Sequence, residues 1–140
     1  MFRTLIVTVA ALTVTTSVAL AAPQTKPQKS GLGCKPQVTV VLKGTIPTAP
    51  GNGATLPFAL AITAKHSNRF AQAYVKGTQP VAVQVTDKTK IRRHAAKGLD
   101  ALRAMLVGDR MLVTARVCMA DLANNATPPL TATRLVAHPA

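Results

Sequence analysis

From Gln37 onward the chain alternates apolar and polar residues with a period of two, the mark of strands that bury one face. In the first run Val38, Val40, Leu42 and Ile46 share one face, and Thr39, Lys43 and Thr45 share the other. Gly44 interrupts the inward series, as a bulge or sharp bend requires where a long strand coils around a small barrel. Pro47 to Pro57, with Pro50-Gly51-Asn52-Gly53 inside it, predicts a turn-rich loop. A second strand begins with Phe58, Leu60, Ile62 and Ala64 and runs to about Lys65. After the polar break His66-Ser67-Asn68, a third run sets Phe70, Gln72, Tyr74 and Lys76 against Ala71, Ala73 and Val75, and the two runs are expected to pair as a hairpin. Val81, Val83 and Val85 against Ala82, Gln84 and Thr86 predict a fourth strand.

One segment breaks the rule of two. In Gly98 to Val107, Leu99, Leu102 and Leu106 recur at spacings of three and four, which predicts a short helix closed by Gly108. Alternation returns with Met111, Val113, Ala115 and Val117, and after the loop Asn124 to Pro129 a last strand covers Leu130 to Ala137. The expectation is an all-β domain: five to six short antiparallel strands in a closed or nearly closed barrel, with one short helix before the penultimate strand.

The segment ahead of this pattern reads differently. Arg3 precedes an uncharged run from Leu5 to Leu20, and Ala19-Leu20-Ala21 offers the small-x-small pattern of a signal peptidase site. Residues 1–21 are therefore expected to be a signal peptide. An uncleaved anchor is the alternative, but five threonines (Thr4, Thr8, Thr13, Thr15 and Thr16) make the run a poor spanning helix. Residues 22–33, polar and carrying Pro23 and Pro27, are expected to form a flexible linker, and residues 34–140 the barrel domain.

Export changes the reading of the cysteines. Cys34 and Cys118 are the only two, so one intramolecular pairing exists, and an oxidising compartment favours a disulfide over two buried thiols. Charge adds a second constraint. The chain carries 17 Lys and Arg against four acidic residues, all Asp, and loss of Arg3 with the leader leaves a formal charge of +12. Such an excess attracts polyanions, most strongly at low salt, and it also keeps an exported protein soluble.

Catalytic chemistry finds little purchase here. Asp87, Asp100, Asp109 and Asp121 are scattered, each where a turn, a cap or the start of a strand would use it, so no paired-carboxylate site is expected. His66, His94 and His138 lack the short spacings of metal sites, and neither a CxxC nor a glycine-rich phosphate loop occurs. Two basic clusters remain. Lys65, His66 and Arg69 surround the expected hairpin tip, and Lys90, Arg92, Arg93, His94 and Lys97 lie between the fourth strand and the helix. The second could grip phosphates or sulfates, since Arg suits bidentate contacts, or it could be a solvated loop. Single-stranded nucleic acid would also need stacking aromatics, for which Phe70 and Tyr74 are the candidates.

Several stretches together resemble the exported, OB-like small barrels found in many bacterial proteins of unknown function. They are Val38 to Ile46, the segment around His66 to Arg69, Val81 to Thr86 with Lys90-Ile91, Leu99-Asp100-Ala101-Leu102 followed by Val107 to Thr114, and Thr131 to Val136. The resemblance spans roughly residues 35–138 and implies an OB-like barrel; it carries no catalytic residue. The resulting expectation is a secreted or envelope-associated, non-enzymatic binding module without cofactor or metal. Its partner would be an anionic envelope polymer, lipid headgroup or nucleic acid, held by Lys65, Arg69, Arg92, Arg93 and Lys97. The alternative is a structural module that meets another envelope protein through an uncovered strand edge.

Overall fold

A computed structural model describes residues 34–140; the expected leader and linker lie outside the described residues. Seven strands form in chain order: β1 (Gln37–Thr45), β2 (Phe58–Ser67), β3 (Val81–Val85), β4 (Lys90–Arg93), β5 (Ala96–Lys97), β6 (Arg110–Cys118) and β7 (Leu130–His138). Two short helices, α1 (Gln72–Lys76) and α2 (Gly98–Arg103), interrupt them. The sheet runs β3-β2-β1-β6-β7-β4-β5, and β3 also pairs with β7, so β1, β2, β3, β7 and β6 close on themselves. All pairings are antiparallel except β3 with β7 and β4 with β7. The result is an all-β, OB-like five-stranded barrel with two added strands and a short helix before the penultimate strand.

Inward positions follow the alternation. Val40, Leu42, Leu60, Ile62, Val83, Val85, Val113 and Leu135 are buried in one cluster, joined from outside the barrel strands by Ile91, Leu102 and Met105. A domain of this size buries only about two-thirds of the surface its unfolded chain exposes, so it gains from a covalent staple. Cys34 and Cys118 form the disulfide, fastening the start of the domain to the end of β6, where Gln37 also pairs with Cys118.

Three expectations are corrected. Residues 70–76 are not a strand: a 3₁₀ turn (Arg69–Ala71) leads into α1, and the antiparallel partner that follows β2 is β3. Phe70, Ala71, Tyr74 and Val75 lie on one helical face, with Ala71 and Tyr74 buried and the other two packed against the core. The apparent alternation put Gln72 and Lys76 on the same face as Phe70 and Tyr74, which a half-buried strand would not do. Residues 90–97 are not a loop but the β4–β5 hairpin, because Ile91 is an inward anchor and β4 lies along β7. Finally, α2 ends at Arg103 rather than Val107; Leu106 and Val107 belong to the turn that leads into β6.

Candidate functional site: a cationic groove on the barrel wall

The site begins with an irregularity in the β1–β2 ladder. Lys43 faces His66, but the next residue, Gly44, faces Ala64, so Lys65 is an extra residue in β2. In a regular strand Lys65 and His66 would point to opposite faces. The bulge leaves both exposed while Ala64 stays buried. Gly44 makes the bulge possible, because a Cβ there would overlap the Thr63 carbonyl oxygen. Gln79 completes it: its side-chain carbonyl accepts the Ala64 N–H (2.9 Å), and its NH₂ donates to the carbonyls of Tyr74 (2.7 Å) and Val75 (3.3 Å) at the end of α1.

Register then carries the cations around the wall. Thr45 faces Arg110, and Arg110 faces His138. Two rungs away, and so on the same face, His66, Lys43, Leu112, Val136, Arg92 and Lys97 are successive partners across six strands, and their side chains share the outer side of the sheet. At the β2 end of these rungs lies a groove of about 630 Å³ lined by Lys43, Lys65, His66, Arg110 and His138, with Leu112 as its apolar wall. Among the described residues no acidic side chain lines it. The cations gather without neutralising partners, an arrangement that focuses positive potential and costs stability unless an anion enters.

The five sequence-derived residues divide. Lys65 lines the groove, and Arg92 and Lys97 are exposed at the far end of the shared rung, directly opposite each other. Arg69 is elsewhere: its guanidinium lies 4.5 Å from the Phe70 ring centroid, in a separate groove with Met119 and Leu122. Arg93 is committed to Asp109, with Nε 2.7 Å from Oδ2 and Nη2 3.3 Å from Oδ1. Asp109 is only 2% exposed. Burial alone would push its carboxyl up, but the hydrogen bond from Arg93, the Leu106 N–H (3.0 Å) and nearby positive charge hold it below the usual carboxylate range. The groove residues Lys43, Arg110 and His138 were not picked out from the sequence, since each lies on a different strand and only the pairing unites them.

The aromatic platform is also corrected. Tyr74 is 3% exposed, and its hydroxyl donates to the Pro128 carbonyl (2.6 Å). Burial first, and the charge of Asp121 second, raise its phenol well above the ordinary value. Phe70 is half-buried beside Arg69. Neither can stack a base on an open sheet face. Compared with protein-family models, curated proteins and solved structures, the chain finds no match in any of the three.

Proposed function

We propose that this protein is an exported, non-enzymatic module that binds an anionic polymer or surface through the β1–β2–β6–β7 groove. The observation that carries the reading is the convergence of Lys43, Lys65 and Arg110, with His66 and His138 beside them, on a concavity without an acidic wall. The cations are carried on the strands of a closed barrel, so little backbone freedom is lost on binding. Arg92 and Lys97 extend the same row and suit a ligand longer than one phosphate group. Arg93 has no part in this reading because it secures Asp109, and Arg69 faces another groove. Export is supported by the disulfide and by the apolar N-terminal run. Among the described residues no helix is long and apolar enough to cross a membrane.

The test is a salt titration of binding to inorganic polyphosphate and to a single-stranded oligonucleotide. Affinity is expected to fall steeply as salt rises. The K43A/R110A double variant should bind about tenfold more weakly at low salt and with a shallower salt dependence, whereas R69A should match the wild type. Salt-independent binding, or an unaltered double variant, would reject the reading.

A further inference from the structure

The turn just before β6 carries two adjacent exposed aliphatic residues. Leu106 and Val107 are 59% and 63% exposed, and Met119 is the other large apolar side chain so exposed among the described residues. Their exposure is not looseness. The Leu106 N–H donates to Asp109 Oδ2 (3.0 Å), the Asp109 N–H donates back to the Leu106 carbonyl (3.1 Å), and Gly108 takes the positive φ of 88° that closes such a turn. The Gly108 N–H donates to the Ile46 carbonyl (2.9 Å) and the Ile46 N–H to the Asp109 carbonyl (3.1 Å), which ties the turn to the end of β1. Arg93 clamps the same Asp109 from β4. Two neighbouring aliphatic side chains are thus held in water by a braced backbone.

The surroundings identify what would cover them. Arg110 follows the turn immediately and faces His138, and both line the cationic groove together with Thr45 at that end of β1. Asp109, the carboxylate nearest in sequence, is buried against Arg93 and offers no exposed negative charge. A soluble polyanion would use the groove and leave Leu106 and Val107 wet. An anionic bilayer would use both, since its headgroups present phosphates beside an apolar interior and stable anchoring commonly combines an apolar element with a basic patch. We propose that the Leu106–Val107 turn docks this protein on an anionic lipid bilayer, entering the headgroup region while the adjacent groove holds lipid phosphates. The proposal rests on the anion-binding reading of the groove and names its partner.

The experiment uses protein produced with its own leader and recovered after export, so that wild type and variants share one N terminus. Sedimentation with vesicles of phosphatidylglycerol and phosphatidylcholine is compared with vesicles of phosphatidylcholine alone and with soluble polyphosphate. The L106S/V107S variant should bind the anionic vesicles about tenfold more weakly and polyphosphate as the wild type does. The chain has no tryptophan, so V107W supplies a sole indole reporter. Its emission should shift to the blue with anionic vesicles and stay unchanged with polyphosphate. Equal vesicle binding by L106S/V107S, or an unshifted indole, with polyphosphate binding intact, overturns the docking proposal alone. Failure of the wild type to bind either polyphosphate or anionic vesicles overturns the groove reading and this proposal with it.

Discussion

Gly44 shows how much can depend on one missing side chain. Its approach to the Thr63 carbonyl permits the bulge, and the bulge turns His66 out beside Lys65. G44A must push β1 and β2 apart against a close-packed interior, a change that costs about 2 kcal/mol or more. Urea denaturation should show that loss, and polyphosphate binding should weaken as the bulge relaxes. The glycine was legible as a break in the inward series, but its neighbour across the sheet was not. Tyr74 marks the opposite case: its residue type pointed to a stacking surface, whereas its position on α1 buries the ring and gives its hydroxyl to Pro128. Asn68 is similarly local in sequence and distant in effect. Its side-chain carbonyl accepts the Val41 N–H and its NH₂ donates to the Thr39 carbonyl, so it satisfies β1 where β2 has already departed.

At the scale of elements, the connection from α2 to β6 joins parts that the sequence keeps far apart. Asp109 binds Arg93 of β4 and the Leu106 N–H, and its backbone meets Ile46 after β1. Because its carboxyl is held below the ordinary range in the folded state, its ionisation contributes stability that is present above the unfolded value of about 4. That contribution is lost as pH falls through the lower folded value. D109N should therefore be less stable by about 2 kcal/mol at neutral pH, and the gap to wild type should narrow under strongly acidic conditions. Thermal melts across an acidic pH series check this; a gap that does not change with pH would contradict the assignment. The helix at residues 72–76 shows why short elements are hard to read. Five residues span little more than one turn, and both periodicities can be drawn through them until packing selects one.

For the molecule as a whole, the disulfide and the barrel closure define stability together. β3 meets β7 through only two residue pairs, Val83 with Leu130 and Gln84 with Thr131, so this is the shortest seam of the closed ring. The Cys34–Cys118 bridge spans 84 residues of sequence and confines the unfolded chain. On the chain-entropy account, reduction should cost about 4 kcal/mol, read as a lower denaturation midpoint in the presence of a thiol reductant. An unchanged midpoint with both thiols confirmed free would refute it. The barrel class, the one possible disulfide and the surplus of positive charge can all be read from the residues in order, because inward periodicity, cysteine count and composition need no knowledge of what lies across the sheet. Which cations meet, the commitment of Arg93 to Asp109, and the position of Leu106 and Val107 beside the groove emerge only in the folded chain. Those facts depend on strand register and on a single bulge, and register is set by partners distant in sequence, such as His66 opposite Lys43 and Arg110 opposite Thr45.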